Sequence, residues 1–399
     1  MTSAEHDTAP ALGSYHHIRR LHTPHWPARH HGLSEWRPTR AGSKFAAVSS
    51  PSSPPIADLA AAAQRAIDEK TKPLGSLGEL EVWAVRLACI QGTLTPTVDH
   101  ARIIVFGADH GVAAEGVSAY PPQVTGEMMR NFARGGAAIN VLAHANGLDV
   151  EVIDVGVDAD LADIRGLVHA KVRRGSRNFL HEPAMTEAEL DAALAVGRAA
   201  VRRAADDGVR AIGLGEMGIG NTTAAAALLS ALTGAPAADT VGRGTGVDDA
   251  RLAHKREIVA QAVARHGVAR DGAAPPANAR HALAALGGLE LAAIAGAALE
   301  APALGIAVVA DGFISTVATL AALRIDPSIA RALFVAHRSA ESGHALALDA
   351  IGARPMLNLN LRLGEGTGAA LAIPLLRAAA AILGEMATFA GAGVSRAPA

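Results

Sequence analysis

From residue 56 onward the apolar positions follow two rhythms. An alanine-rich amphipathic stretch over 56–70 predicts a helix, the segment TKPLGSLGELE (71–81) a turn, and a second helical period runs through residue 90. A continuous β-branched run, ARIIVFGAD (101–109), then reads as a buried strand that ends in glycine. Short apolar runs recur at 150–155, 210–214, 305–310 and 332–336. Helical stretches lie between them, such as 186–205, which opens with Thr186 and Glu189 as a capping box. Buried strands alternating with helices predict an α/β fold, a parallel sheet covered on both faces. Ligands of such sheets bind beyond the carboxyl ends of the strands, so the loops that follow strands are where chemistry is expected.

Residues 1–55 break the rhythm. They hold seven histidines (His6, His16, His17, His22, His25, His30 and His31) and close on SSPSSPP, which reads as a disordered His/Pro-rich extension. The histidines have no carboxylate or cysteine at ligand spacing, so metal capture there is a weak reading. The rest has material for a large core: 399 residues, 50% hydrophobic and 19% charged, but only 3% aromatic. Heavy use of alanine and glycine favours close helix–sheet packing and excludes a disordered chain or an aromatic-rich β sandwich. Lys+Arg number 36 against 38 Asp+Glu, a net charge of −2 that offers no field for nucleic acid and no polybasic run for a membrane. A single cysteine, Cys89, excludes an intrachain disulfide framework and suits a reducing, cytoplasmic home; its apolar helical face suggests a core position. The longest apolar stretch, 281–310, is interrupted by Glu290 and Glu300, too broken for a membrane span, and no signal peptide is visible.

Four loops could carry chemistry: 107–125, 213–223, 241–249 and 363–370. Glycines let backbone approach a ligand, and free amides at a helix start attract phosphate. Gly213, Gly215 and Gly218 match G-x-G-x-x-G, which keeps an NAD-dependent oxidoreductase open as an alternative. Against it, Glu216 would sit inside the turn and oppose a pyrophosphate, and no strand-end acid follows at the right distance. The phosphate-loop motif fails because Asn221 stands where its lysine belongs. Glu365 has the same surroundings as Glu216, a lone carboxylate among glycines at a helix start, where the helix dipole should keep it ionised. Paired carboxylates suit general-base work and stabilisation of an oxocarbenium-like carbon. His110, His337 and His344 give no recognised metal spacing, and His110 is expected to make local hydrogen bonds at a strand end. Ser339 lacks the context of a hydrolase nucleophile. A non-catalytic nucleotide- or benzimidazole-binding protein is the third reading.

Taken in order, KPLGSLGELE, GADHGVAAEGVSAYPPQVT, RGGAAINVLA, GEMGIGNTTAAAAL, GRGTGVDD, ALGGLELAAIAG, DGFISTVATL, HRSAESGH and LGEGTGAALA resemble the nicotinate-nucleotide–dimethylbenzimidazole phosphoribosyltransferase family over residues 56–395. The resemblance implies transfer of phosphoribose from nicotinate mononucleotide to 5,6-dimethylbenzimidazole, giving α-ribazole 5′-phosphate and nicotinate in assembly of the cobalamin lower ligand. It implies no cofactor and no metal, a homodimer, and a Rossmann-like parallel sheet with a small helical domain built from both chain ends. The boundaries would be 56–100 for the N-terminal helices, 101–370 for the catalytic domain and 371–399 for the C-terminal helix and tail.

Carried over by that resemblance, Glu365 is the general base and Glu216 the second carboxylate at the reacting centre. Gly218, Gly244, Lys255, Gly312 and Ser339 form the phosphate and ribose side, where a lysine suits phosphate as a point charge. Tyr120, Glu127 and Met128 form the benzimidazole pocket, where an aromatic ring and a thioether suit a flat base. The chain departs at Glu127, where the family commonly has glutamine, and this bears on which base is accepted.

Overall fold

A computed structural model describes residues 56–244, 246–267 and 278–396; the extension 1–55 lies outside them. Seven strands form one sheet: β1 (Ala101–Ala108), β2 (Asp149–Gly156), β3 (Leu167–His169), β4 (Ala211–Met217), β5 (Ala307–Ala310), β6 (Leu333–His337) and β7 (Pro355–Leu357), in the order β3-β2-β1-β4-β5-β6-β7. Every neighbouring pair is parallel. The strand order reverses between β1 and β4, and the crevice beyond their carboxyl ends is the topological switch point. The five apolar runs are strands, as the hydrophobic pattern implied. β3 and β7 are three-residue edge strands, too short to carry a period, and β7 begins on a proline tolerated only at an edge.

Side chains alternate along β1 between two cores. Ile104, Phe106 and Ala108 face the layer of the Glu187–Asp206, Asn221–Thr233, Leu289–Glu300 and Phe313–Ile325 helices. Ile103 and Val105 face the layer of Glu79–Gln91, Ala138–Ala145 and Thr367–Glu385. Small residues set the packing distance. A methyl group at Gly197 would overlap the Ala293 carbonyl, and one at Gly296 the Leu194 carbonyl, so the Glu187–Asp206 and Leu289–Glu300 helices touch backbone to backbone. The first of them is capped as the sequence implied: Glu189 N–H donates to Thr186 Oγ1 (3.2 Å), and Thr186 N–H to Glu189 Oε2 (2.8 Å).

Helices from both ends of the described chain meet. Ile56–Asp68 and Glu79–Gln91 pack on each other and on Thr367–Glu385, Lys70 Nζ donates to the Met386 carbonyl (2.7 Å), and Lys72 pairs with Glu81 (2.8 Å). Cys89, expected in the core, is half-buried on the Glu79–Gln91 helix. Thr367–Glu385 is the one helix among the described residues long and apolar enough to cross a membrane by length and composition. Here it is a core helix: Ala369, Ile373, Leu376 and Leu383 are buried, while Arg377 donates to the Val98 and Asn146 carbonyls (3.2 Å each).

Candidate active site

The switch point collects carboxylates. β4 extends beyond its apolar run to Met217, so Glu216 belongs to the strand and not, as its glycine neighbours suggested, to a turn. Gly213 and Gly215 are strand residues too. A methyl at Gly213 would meet Ile103 and Ala369, and one at Gly215 would overlap the Glu365 backbone. These glycines serve close approach of the 364–366 turn and the helix behind it rather than a pyrophosphate, which removes the dinucleotide reading of 213–218. The loop proper begins at Gly218, packed against Ala108 and the His110 ring.

Glu365 sits in a turn of three successive left-handed residues, Gly364 (φ 82°), Glu365 (φ 64°) and Gly366 (φ 92°). For a glutamate that backbone is uncommon and costs on the order of 1–2 kcal/mol, so the surroundings must hold it. Asp311, directly after β5, does so: Gly366 N–H donates to its Oδ2 (3.2 Å) and Ala369 N–H to its Oδ1 (2.9 Å). The Glu365 carboxylate in turn accepts from the Ile139 N–H (3.3 Å), in the first turn of the Ala138–Ala145 helix.

Burial dominates the electrostatics. Glu216 is 6% exposed, and loss of water, reinforced by the charges of Asp311, Glu290 and Glu365, pushes its carboxyl up to about 8 against the opposing hydrogen bond from Asn221. Burial likewise raises Asp311 to about 7, opposed by the backbone amides of Ala369, Gly366 and Gly368. Glu365 is also raised, chiefly by burial; the Ile139 hydrogen bond opposes the rise and the Asp311 charge adds to it. Glu365 is thus raised even at a helix start, where the dipole favours the ionised form, because desolvation exceeds the stabilisation from one amide and a dipole. A carboxyl raised toward neutral pH is a better general base, since its affinity for the proton is closer to that of the group it must deprotonate.

The phosphate-side candidates fall into three groups. Lys255 is 1% exposed; its Nζ donates to Thr222 Oγ1 (2.8 Å) and the Gly242 carbonyl (3.2 Å) and lies beside Gly244, which has a left-handed backbone (φ 54°). Burial lowers its ammonium to about 8, although the charge of Glu341 supports it. Gly312 opens the Phe313–Ile325 helix against His337 and Ser339. Gly218 packs against Ala108 and the His110 ring, on the β1 side. On the base-side segment, Met128 is half-buried on the Val124–Ala133 helix and Glu127 is exposed there, while Tyr120 is 54% exposed on the loop after β1. Among the described residues no hydrogen bond ties the Tyr120 or Glu127 side chain to Glu216 or Glu365. The segment itself is tied in: Ile219 N–H donates to Thr125 Oγ1 (3.1 Å).

Several residues escape a reading of the sequence alone. His110 bonds not locally but across the fold: its Nε2 lies 2.6 Å from Glu290 Oε1, and both side chains are fully buried. A charge inside an apolar run is the available signal for Glu290, which the hydrophobic pattern shows only as an interruption. Asp311 and Asn221 follow strand ends, the same signal that points to Glu365 and Glu216. His344 accepts from the Ser339 N–H at Nδ1 (2.7 Å), which leaves its proton on Nε2, facing Thr316 Oγ1 (3.0 Å); burial first, then the neighbouring His337 and Arg338 charges, lowers it to about 3. That histidine orders the 337–344 loop as a neutral ring.

Known proteins are similar to this chain in sequence and fold. A family profile described as phosphoribosyltransferase matches residues 53–394. The nicotinate-nucleotide–dimethylbenzimidazole phosphoribosyltransferase of Cupriavidus necator is 53% identical over 84% of this chain and 94% of its own, and that of Geobacter metallireducens 50% identical over 86% and 96%. The crystal structure of CobT from Thermus thermophilus superposes with a TM-score of 0.80 at 50% identity, covering 85% of this chain and all of the other. With the match running through nearly every described residue, from the first helix to the last, the chain belongs to the nicotinate-nucleotide–dimethylbenzimidazole phosphoribosyltransferase family.

Proposed function

We propose that the protein transfers the 5-phosphoribosyl group of nicotinate mononucleotide to 5,6-dimethylbenzimidazole, giving α-ribazole 5′-phosphate and nicotinate for the lower ligand of cobalamin. The observation that carries this reading is the meeting of Glu216 and Glu365, two buried carboxyls with raised affinity for protons, at the switch point of the sheet. The leaving group is a cationic pyridinium. When its bond to the ribose anomeric carbon breaks, the electron pair neutralises the ring nitrogen, so departure needs no general acid. One ring nitrogen of the benzimidazole attacks the opposite face of that carbon and the other must lose its proton. Glu365 takes it. Glu216 stands against the positive charge that develops on the anomeric carbon, and binding of the substrate with its pyridinium cation favours its ionised form.

Lys255, Gly244, Gly312, Ser339 and Gly218 are assigned to the phosphate and ribose, and Tyr120, Glu127 and Met128 to the base. The exposure of Tyr120 and Glu127 is in keeping with a homodimer in which a second subunit closes the base side. The helices of residues 56–100 and 371–399 are read as a small domain on the 101–370 catalytic domain, in a cytoplasmic enzyme that needs no cofactor.

The test combines purified protein, nicotinate mononucleotide and 5,6-dimethylbenzimidazole and follows nicotinate release and product mass. Base-dependent release with a product of α-ribazole phosphate mass is expected. In Glu365→Gln the amide oxygen can still accept from Ile139, so folding is retained while turnover falls roughly 10²–10⁴-fold, the usual contribution of a general base. Folded wild-type protein that releases no nicotinate with any benzimidazole would overturn the function. A Glu365→Gln enzyme of normal rate would remove Glu365 as the base.

A further inference from the structure

Two residues beyond β1 the chain buries an ionisable pair that the transfer chemistry does not use. His110 Nε2 lies 2.6 Å from Glu290 Oε1, and both side chains are shut off from solvent. The pair is incompletely satisfied, because His110 Nδ1 and Glu290 Oε2 are buried without a hydrogen-bond partner. Stability is a poor reason to keep such a pair, since well-packed apolar residues of similar volume often do as well or better. Its position supplies another. A methyl group at Gly218 would come within 3.2 Å of the His110 ring, and one at Gly220 within 3.3 Å of its Cβ, so the loop after β4 is laid directly on this histidine. A methyl at Gly288 would overlap the ring, so the backbone just ahead of Glu290 confines it as well.

What the loop delivers is Asn221. Its N–H donates to the Gly218 carbonyl (3.1 Å), and it opens the Asn221–Thr233 helix. Its side-chain amide donates to Glu216 Oε2, which favours the ionised carboxylate against burial. A hydrogen bond from Ile219 N–H to Thr125 Oγ1 (3.1 Å) holds the middle of the loop, and the histidine supports the glycines on either side. We propose that His110 is a positioning residue of the transferase: fixed by Glu290, it sets the 218–221 loop and through that loop aims the Asn221 amide at Glu216. A flat ring lets glycine backbone lie close, and its nitrogen supplies the anchor that an aliphatic side chain lacks. The inference rests on reading Glu216 as the carboxylate that faces the developing cation.

The test has a structural arm and a kinetic arm, both on the full-length protein. In a crystal structure of His110→Ala the loop should sink toward the vacated space and the Asn221 amide should leave hydrogen-bonding distance of Glu216. In the transferase assay His110→Ala should lower kcat about 10–100-fold, the worth of a hydrogen bond to a charged group. In an Asn221→Ala background the same change should cost less than about twofold, because residues that act through one another are not additive. Glu290→Gln keeps an oxygen that can accept from the ring, so it should hold Asn221 in place and lose less activity than Glu290→Leu; these two variants decide the matter if His110→Ala does not fold. An unmoved Asn221, losses that multiply in the double variant, or equal losses in the two Glu290 variants would each overturn the proposal. Wild-type protein that releases no nicotinate would bear on the transferase reaction alone, and the crystallographic arm would still decide the role of His110.

Discussion

Glu216→Gln tests the electrostatics of the site without any substrate. In the folded protein the carboxyl is pushed from its ordinary 4.5 up to about 8, first by burial and then by Asp311, Glu290 and Glu365. Between those two pH values folded Glu216 holds a proton that the unfolded chain has released. Its contribution is therefore fully present below about 4.5 and is lost as pH rises through about 8. A displacement of that size corresponds to about 5 kcal/mol over the whole window, or about 1.4 kcal/mol per pH unit while one proton separates the two states. Asp311, raised to about 7, adds a slope of the same sign below its own value. Glutamine keeps an oxygen for the Asn221 amide and carries no proton to lose. Urea unfolding followed by circular dichroism at several pH values from about 5 to about 9 should show a stability that falls with pH in the wild type. The variant should fall less steeply, by close to one proton between about pH 5.5 and about pH 7.5, and above about pH 8 it should be the more stable protein. A variant with the wild-type slope would refute the argument, because Glu216 would then titrate alike in both states.

Two further changes address other parts of the site. Lys255→Ala should weaken binding of nicotinate mononucleotide roughly 10–100-fold, the worth of a hydrogen bond to a charged group; wild-type affinity should itself decline as pH rises through about 8, where the ammonium loses its charge, and calorimetry on either side of that pH reads both. Gly215→Ala places a methyl group against the Glu365 backbone and should cost about 1–3 kcal/mol in urea unfolding together with most of the activity, whereas a native-like melting curve would show that the 364–366 turn gives way easily.

The sheet is legible where strands are buried on both faces, because five continuous apolar runs cannot be solvated loops. The edges are not: Leu167–His169 and Pro355–Leu357 are half-open and too short to show a pattern. β4 outruns its apolar stretch although Gly213, Gly215 and Glu216 are residues strands normally avoid; tertiary crowding explains the two glycines, by the 364–366 turn at Gly215 and by Ile103 and Ala369 at Gly213. The glycines around Glu216 and Glu365 therefore mark two buried carboxylates that the fold brings together, but for a partly mistaken cause, phosphate approach in place of backbone-to-backbone contact. Residues whose roles depend on distant partners stay hidden in the sequence. Asp311 reaches Gly366 and Ala369, 55 and 58 positions away, and His110 reaches Glu290 across 180.

The two carboxylates stand on supports of different stiffness. Glu216 is part of a central strand whose register with β1 pairs it with Phe106, so its backbone can shift only if the sheet itself opens. Glu365 rides on a three-residue turn that lies against Gly215 and is hydrogen-bonded to the sheet side through Asp311. Of the two supports the turn is the less constrained, like the one movable jaw of a vice. In the mechanism proposed above, the stationary jaw faces the developing cation, and the side that carries the proposed proton acceptor is the one free to travel when a base enters or a product leaves.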